Sequence, residues 1–438
     1  MKIANQTIMV VVGCAVVLSV NGALAQDWPQ WRGVNRNSKA TGFTAPKTWP
    51  KELTQKWKTA VGSGDSSPAL MGDKLYVFSR QEAEEVTRCL DAATGKELWA
   101  DKYSVPAISG PDAGQHSGPR SSPALADGKV VTLGVTGTLS CLDAGTGKVL
   151  WRKEDFRGAW PRFHAASSPL IVDGLVIAQL GKESEGGIVA YDLATGDPKW
   201  KWMEEGPAYA SPVRLSVAGT KMIVTQTAKS VVAISVADGK ALWQTPFAPQ
   251  GMAYNAATPI VDGQTVIYCG QGRGATAVTL EKQGDGFVAK ELWKNPDNSV
   301  QFNTPVLRDG FLFGFSARND FFCINAQNGK TAWTTPFTPP ASGAEGQGQA
   351  QGQGGMRGGR GMGRSAGYGS IVDAGSVLLA LTPASQLVAF EPSDKAYTEL
   401  ARIKVADSQT YAYPIVSGKR LFVKDQDSVT LWALPAEP

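Results

Sequence analysis

Few side chains in this sequence could carry acid–base or metal chemistry. Only two histidines, His116 and His164, occur among its 438 residues. Two imidazoles could ligate a metal ion, but their spacing supplies no third ligand. Because imidazole titrates near neutrality, His164 beside Arg162 could also relay a proton. No spacing of serine, histidine and aspartate indicates a nucleophilic triad. We therefore predict no metal site and assign no catalytic residue.

These side chains must be positioned by a repeat that occurs eight times along the chain. Its marker is a Ser-Pro or Thr-Pro step followed by alternating apolar residues, and the period of about 43 to 55 residues is typical of a four-stranded unit. The clear steps are Ser67-Pro68, Ser122-Pro123, Ser168-Pro169, Ser211-Pro212, Thr258-Pro259 and Thr304-Pro305, with altered copies at Gly369-Ser370 and Tyr413-Pro414.

Two glycine turns and a tryptophan complete each unit. An Asp-Gly turn such as Asp127-Gly128 joins the first two apolar segments, and a second turn precedes the last segment, as in LDAGTGKVLW over residues 142–151. Glycine supplies the positive φ that such turns need. The closing tryptophans are expected to pack one unit on the next; they are Trp99, Trp151, Trp200, Trp243, Trp293 and Trp333.

The repeat predicts an all-β, eight-bladed β-propeller of four-stranded antiparallel blades over residues 26–438. The final unit has three strands, and the segment Thr54–Trp57 matches a fourth strand with its tryptophan. We therefore expect the N-terminal strand to close the last blade, which removes the open sheet edges.

Three cysteines, Cys89, Cys141 and Cys323, occupy a small inward position where other units carry Ala190 or Ala233. We therefore predict buried free thiols rather than disulfides.

The first 25 residues have the features of a signal peptide. Lys2 precedes an apolar stretch over residues 8–20, and Ala23-Leu24-Ala25 is a small-x-small cleavage site. Cleavage after Ala25 would export the chain to the periplasm or the medium; lipidation at Cys14 is the less favoured alternative.

The glycine- and glutamine-rich segment 341–366 is predicted to be a flexible insertion. The net charge of +4 does not indicate a nucleic-acid partner. We expect a monomer that is at most peripheral to the membrane.

The strand order of a propeller brings one set of loops together. We name the strands of a blade A to D from the axis outwards; the D-to-A and B-to-C connections then lie on one face, at the channel mouth. Loops on a rigid scaffold commonly carry function, so this D-to-A face is the predicted binding site. Its candidate residues are His116, Arg120, Trp160, Arg162, His164, Tyr209, Tyr254, Asn255, Gln301, Asn303 and Tyr411, with Arg318 and Asp320 from a B-to-C loop.

The combination of Ser-Pro, Asp-Gly and Leu-Asp-Ala-x-Thr-Gly-Lys-x-Leu-Trp resembles the PQQ-type (pyrroloquinoline quinone) propeller repeat. That superfamily includes the outer-membrane assembly factor BamB and the quinoprotein alcohol dehydrogenases. The resemblance covers about residues 50–438 and implies the fold more strongly than a function.

The resemblance leaves two functions open. One is a non-catalytic, BamB-like scaffold that binds another envelope protein or a small, sugar-like ligand on the D-to-A face. The alternative is an oxidoreductase dependent on PQQ and Ca²⁺. Enzymes of that group commonly carry an adjacent Cys-Cys pair, which this chain lacks; Arg318, Asp320 and Asp425 could imitate parts of such a site without reproducing its motif. We favour the scaffold, and PQQ with Ca²⁺ is the cofactor set of the alternative.

Overall fold

The structure is a computed structural model that describes residues 26–108, 114, 116–251, 253–284, 286–337 and 367–435. Regular secondary structure in these residues consists of 32 β-strands in eight sheets. Across the same ranges, no helix has the length and apolar character needed to cross a membrane. The predicted signal peptide with Cys14 and the predicted insertion at 341–366 lie outside the described residues.

The strands group by blade in chain order. The N-terminal strand and blades 1 to 4 comprise β1 (Thr54–Ala60); β2 (Ala69–Met71), β3 (Lys74–Gln81), β4 (Glu84–Asp91), β5 (Glu97–Ser104); β6 (Ala124–Ala126), β7 (Lys129–Leu133), β8 (Leu139–Asp143), β9 (Val149–Lys153); β10 (Leu170–Val172), β11 (Leu175–Lys182), β12 (Glu185–Asp192), β13 (Pro198–Trp202); β14 (Val213–Val217), β15 (Thr220–Gln226), β16 (Ser230–Ser235), β17 (Ala241–Pro246).

Blades 5 to 8 comprise β18 (Ile260–Asp262), β19 (Thr265–Gly270), β20 (Gly274–Gln283), β21 (Gly286–Asn295); β22 (Val306–Arg308), β23 (Phe311–Phe315), β24 (Asp320–Asn325), β25 (Thr331–Pro336); β26 (Ser370–Asp373), β27 (Leu378–Leu381), β28 (Gln386–Phe390), β29 (Glu399–Lys404); β30 (Ile415–Ser417), β31 (Arg420–Lys424), β32 (Ser428–Ala433).

Every sheet is antiparallel, and seven of them contain four strands in sequence order. The eighth has the order β1-β32-β31-β30, so the N-terminal strand is its outermost member. Thr54 lies opposite Ala433, and Ala60 lies opposite Ser428. The predicted eight-bladed propeller, with its last blade completed by the N-terminal strand, is thereby confirmed.

A small residue on strand C lies opposite the strand-D tryptophan in blades 1 to 6. Cys89 pairs with Trp99, Cys141 with Trp151 and Cys323 with Trp333. Alanine takes the cysteine position in blades 3 to 5, and a bulge follows the pair in each of these sheets. A large ring on one strand needs a small partner across from it, which explains the inward position predicted for these cysteines. Cys89, Cys141 and Cys323 are buried and free, as predicted, and Cys269 is buried and free as well.

Six tryptophans fasten one blade to the next. Each donates its indole N–H to a backbone carbonyl in the following blade, which confirms the predicted packing of units. The bonds run from Trp57 to Ala92, Trp99 to Ala144, Trp151 to Leu193, Trp200 to Val236, Trp293 to Ala326 and Trp333 to Ser393, at 2.7–3.2 Å. The bond from blade 8 to blade 1 belongs to Trp57, so the N-terminal strand also closes this series.

In blades 1 to 4 and 6, the turn glycine before strand D lies under the tryptophan ring of the preceding blade. A Cβ added at Gly147 would meet ring atoms of Trp99 at 2.5 and 2.6 Å. Gly95 and Trp57, Gly196 and Trp151, Gly239 and Trp200, and Gly329 and Trp293 repeat this arrangement. Glycine is therefore required twice over, because φ is positive and because the indole occupies the space of a side chain.

Two turn glycines of blade 2 allow the effect of positive φ to be measured apart from the effect of the indole contact. Gly147 (φ 76°) lies under Trp99, whereas Gly128 (φ 69°) has nothing near its missing Cβ. We expect Gly128→Ala to cost about 1 kcal/mol through the left-handed backbone alone. Gly147→Ala should cost roughly 1–3 kcal/mol more through overpacking. Urea unfolding of the two variants measures the difference, and equal losses would contradict a role for the indole contact.

The buried thiols should resist alkylation in the native protein. Burial raises the pKa of Cys89 to about 11 and that of Cys141, Cys269 and Cys323 to about 12. Since the thiolate is the nucleophile, all four should be protonated and unreactive at pH 8. Peptide mapping after iodoacetamide should find them unmodified in buffer and modified in guanidinium chloride. Rapid native labelling of any of them would show that its burial is wrong.

Candidate functional site

The extended segment entering each strand A alternates its side chains between the channel and the blade. The Ser or Thr before the proline and the residue two positions earlier both face the channel. In blade 4 these are Ser211 and Tyr209, and in blade 5 they are Thr258 and Ala256. The same pairing gives Asp65 in blade 1, Arg120 in blade 2, Ala166 in blade 3, Phe302 in blade 6 and Tyr411 in blade 8.

The side chains before the prolines form a closed circle of hydrogen bonds, which we call the hydroxyl belt. Each residue donates its backbone N–H to the side-chain oxygen of the next member. The seven bonds connect Ser67 to Ser122, Ser122 to Ser168, Ser168 to Ser211, Ser211 to Thr258, Thr258 to Thr304, Thr304 to Tyr413 and Tyr413 to Ser67, at 2.7–3.1 Å. The repeat marker in the sequence is therefore also the contact between neighbouring inner strands.

Tyr413 keeps the belt closed where one blade lacks a hydroxyl. Blade 7 has Gly369 at the belt position, and a Cβ there would lie 3.0 Å from the ring of Phe315. The longer side chain of Tyr413 reaches past this position, and its hydroxyl accepts the Thr304 N–H at 3.0 Å. The two altered copies of the marker thus compensate one another.

The N-terminal segment 28–40, which we call the plug, fills the channel beyond the belt. Trp28 exchanges two backbone hydrogen bonds with Leu70 of blade 1. Pro29 accepts the Leu125 N–H of blade 2, and Ser38 accepts the Asp373 N–H of blade 7. These partners come after the belt residues along each strand A. The plug therefore lies on the far side of the belt from the D-to-A face.

Two arginines anchor the plug through neutral acceptors. Arg36 donates to the carbonyls of Ser168, Pro169 and Pro212, and Arg32 donates to the carbonyl of Pro305. Their side chains are buried, with relative exposures of 4% and 1%. No carboxylate oxygen of the described residues lies within 4.0 Å of either guanidinium. Burial lowers the pKa of Arg36 to about 9 and also lowers that of Arg32.

Between the belt and the D-to-A loops lies a cavity of about 180 Å³. Eight of its lining residues are aromatic: the plug contributes Trp31, which contacts the ring of a second lining residue, Tyr413, edge-on at 5.4 Å. The other aromatic lining residues are Phe163, Tyr209, Tyr254, Phe302, Tyr368 and Tyr411. The polar lining residues are Asp65, His116 and Arg120, with the belt hydroxyls of Ser67, Ser168, Ser211 and Thr258.

Besides the hydroxyl groups, the polar side chains of the cavity wall are a histidine–carboxylate pair and an arginine. His116 Nδ1 lies 2.5 Å from Asp65 Oδ2, and Arg120 donates to the His116 carbonyl at 3.0 Å. The imidazole also stacks on Tyr368 and meets Tyr411 edge-on, at centroid distances of 5.8 and 4.7 Å. These contacts hold the His116 ring in one orientation, with its partner carboxylate beside it.

Five of the predicted site residues line this cavity together: His116, Arg120, Tyr209, Tyr254 and Tyr411. Others turn away from it. Asn255 donates to the carbonyls of Thr227 and Phe247, and Asn303 donates to those of Phe315 and Gly367. Both amides connect loop backbone segments, because one position along an extended segment reverses the direction of a side chain.

The remaining candidates lie outside the cavity. Trp160 stacks on His164 at 5.7 Å, and exposed Arg162 lies over the Phe163 ring at 5.4 Å. His164 has a φ of 65° and does not line the cavity. Gln301 lies against Gly367. In the B-to-C loop, Asp320 accepts a hydrogen bond from Ser316, and Arg318 is exposed.

B-to-C loop side chains fasten the loops rather than face the cavity. Arg273 donates to the Phe247 carbonyl and to Asn255 Oδ1, and its guanidinium lies 3.9 Å from the Phe247 ring centroid. Buried Lys424 donates to the carbonyls of Gly62 and Asp425, and burial lowers its pKa to about 8.

Sequence reasoning missed Trp31, Asp65, Phe163, Phe302 and Tyr413 as cavity residues. A signal for two of them was present, since Asp65 and Phe302 each stand two positions before a belt residue. Strict two-residue alternation along these segments would have selected Asp65 and Phe302. It would also have rejected Asn303. Nothing in the local pattern indicates that Trp31 enters the channel.

The described residues do not fit the cofactor set of the quinoprotein alternative. They contain no group of three or more His, Cys, Asp or Glu side chains that could hold a metal ion. Ca²⁺ requires six to eight oxygen ligands, whereas the cavity wall offers one carboxylate, Asp65, which is paired with His116. We therefore derive no oxidation step at this site.

Removing the Tyr413 hydroxyl tests the belt hydrogen bond that spans blade 7. Tyr413→Phe keeps the ring that contacts Trp31 but leaves the buried Thr304 N–H without its acceptor. We expect a loss of about 1–3 kcal/mol in the free energy of unfolding. Tyr254→Phe is the matched control, because the Tyr254 hydroxyl has no hydrogen-bond partner among the described residues. Equal urea midpoints for the two variants would contradict the closed belt.

Sequence comparison places these features in a known family. The profile described as outer membrane protein assembly factor BamB matches residues 82–335, more than half of the chain. BamB from Burkholderia pseudomallei is 26% identical over 262 residues, which cover 57% of this chain and 60% of that protein. A quinohemoprotein alcohol dehydrogenase from Comamonas testosteroni is 28% identical over 195 residues, covering 42% of this chain and 27% of that enzyme. The chain thus matches less than two thirds of either relative's length.

Solved structures share the fold. BamB from Moraxella catarrhalis superimposes with a TM-score of 0.61 at 14% identity, covering 87% of this chain and all of that one. The Comamonas testosteroni quinohemoprotein alcohol dehydrogenase superimposes with a TM-score of 0.65 at 15% identity, covering 96% and 82%. The profile match, together with the eight repeated blades, shows that the chain belongs to the outer membrane protein assembly factor BamB family of PQQ-like β-propellers.

Proposed function

We propose that this protein is an exported, non-catalytic binding propeller that holds another envelope protein on its D-to-A face. The observation that carries the proposal is the placement of the cavity among the D-to-A segments while the plug fills the opposite part of the channel. Concave, aromatic-rich surfaces with a few polar groups are the common form of binding sites. The name of the family, an outer membrane protein assembly factor, supports an envelope location and a partner of that assembly class.

The outer part of this face has the composition of a protein interface. Arg162 is exposed, and the Phe163 ring beneath it belongs to the cavity wall. Trp160 is half-buried beside His164. Arginine, tryptophan and tyrosine are the residues that most often dominate binding energy at interfaces. These side chains lie on loops whose backbone is held by hydrogen bonds, so the surface is preorganised for a partner.

A photo-crosslinking residue at two positions tests the proposal. Arg162 lies on the D-to-A face, and Thr146 lies in the C-to-D turn of blade 2, on the opposite face; both are exposed. In cells of the source organism, a photo-crosslinker at position 162 should give one discrete adduct with an outer-membrane assembly protein, identified by mass spectrometry. The same residue at position 146 should give none.

Two results would contradict the proposal. Equal adducts at both positions would show that contact is unrelated to the D-to-A face. No adduct at position 162, in a protein with an unchanged melting temperature, would show that no protein partner occupies this face.

A further inference from the structure

We propose that the plugged channel is a binding pocket for a small acidic sugar, a monosaccharide ring that carries a carboxylate. This inference deepens the proposed function, because it rests on the same face, but it concerns the cavity below the loops rather than the outer surface. Three separate features of the described residues support it: the charge around the cavity, the hydroxyl donors of the belt and the aromatic walls.

Arginine side chains place positive charge at and behind the cavity wall. Arg120 lines the wall, and the only carboxylate in the lining, Asp65, is paired with His116. Behind the wall, the Arg32 guanidinium lies 5.5 Å from the Trp31 ring and 5.9 Å from the Tyr413 ring. Arg36 donates to the carbonyl of Ser168, which is itself a lining residue. Both plug arginines have neutral acceptors only, so their charge is not cancelled locally. A ligand carboxylate would supply the missing countercharge in a poorly solvated site.

The belt presents a row of hydroxyl donors to the cavity. Ser67, Ser168, Ser211 and Thr258 line it, and each side-chain oxygen already accepts a backbone N–H. Their hydroxyl hydrogens have no acceptor among the described residues. A hydroxyl group that accepts one hydrogen bond can still donate one. A sugar, whose ring carries oxygen atoms around its edge, matches such a row better than a ligand with a single polar end.

The walls provide the flat apolar surfaces that a sugar ring also needs. Phe163, Tyr209 and Tyr254 contact one another edge-on or tilted, at centroid distances of 4.8–6.2 Å. Across the cavity, Phe302 and Tyr368 stack at 4.4 Å. All five of these rings line the cavity. The C–H face of a sugar can lie against a ring face while its hydroxyl groups reach the belt.

The plug determines which class of ligand the cavity can accept. The plug supplies the Trp31 ring that lines the cavity and the two buried guanidiniums that lie behind it. With the plug in place, the channel has a positively charged, aromatic floor. A cationic ligand would meet like charge there, and an apolar ligand would leave the belt hydroxyls unpaired.

Isothermal titration calorimetry on the purified protein tests the assignment. The probes are sodium D-glucuronate and D-galacturonate, with D-glucose and D-galactose as their neutral counterparts and benzoate as a carboxylate without sugar hydroxyls. At least one uronate should bind roughly tenfold or more tighter than its neutral counterpart and than benzoate, because a charge-assisted hydrogen bond contributes more than a neutral one. Raising the NaCl concentration from 50 to 500 mM should weaken uronate binding.

Variants place the binding in the cavity. Arg120→Gln should weaken uronate binding about tenfold and leave binding of the neutral sugar nearly unchanged. Ala166→Phe should abolish uronate binding by filling the space beside the belt. Arg157→Gln is the matched control: Arg157 is exposed, pairs with Glu154 outside the cavity and should have no effect. Unchanged melting temperatures establish that the variants are folded.

Three outcomes would overturn the proposal: no uronate binding to the folded protein, benzoate or the neutral sugars binding as tightly as the uronates, or uronate binding that survives Ala166→Phe. The crosslink at position 162 is measured without any added sugar. A protein that crosslinks but binds no uronate would retain the proposed function and lose this inference. A protein that binds uronate but gives no crosslink at position 162 would retain this inference and lose the proposed function.

Discussion

The hydroxyl belt is the contact on which the rest of this structure depends. A propeller is a closed ring of separate sheets. The inner strands of neighbouring blades are not joined by ladder hydrogen bonds, so their buried backbone N–H groups need other acceptors. Here a side-chain oxygen of one blade accepts the backbone N–H of the preceding one, and the series returns to its start. The bond is short and local to the axis. It therefore sets the distance between inner strands, and with it the diameter of the channel.

A second series of contacts holds the blades at their outer edges. Each of the six indole N–H groups donates to a carbonyl of the next blade, and in five of the six cases a turn glycine lies under the ring. The belt and the indole bonds together fix the angle between neighbouring blades at two radii. This explains why the loops of the D-to-A face can hold side chains such as His116 and Tyr209 at defined positions, although the loops themselves contain no regular structure.

The plug changes what this scaffold can do. Its two guanidiniums donate hydrogen bonds to the inner carbonyls of blades 3, 4 and 6. Burying them without carboxylates is costly, and hydrogen bonds offset the cost: Arg36 donates to three carbonyls, and Arg32 donates to one carbonyl and to the Ser38 hydroxyl. The channel then becomes a pocket on one face instead of a passage through the ring. Function on this fold is accordingly a property of the few residues added to the repeat rather than of the repeat itself.

Much of the architecture was determined by the sequence alone. The spacing of Ser-Pro steps, glycine turns and tryptophans predicts eight four-stranded blades, and the unmatched Thr54–Trp57 segment predicts how the ring closes. These signals are readable because each blade is built from contacts within about 45 residues of one another. The sequence also placed His116, Arg120, Tyr209, Tyr254 and Tyr411 near one another, since all of them precede a belt residue. Only the tertiary structure decided that Asn255 and Asn303 face away, that Tyr413 spans the gap at Gly369, and that the plug enters the channel. Arg32 and its acceptor Pro305 are 273 residues apart, and their contact exists only once the ring has closed.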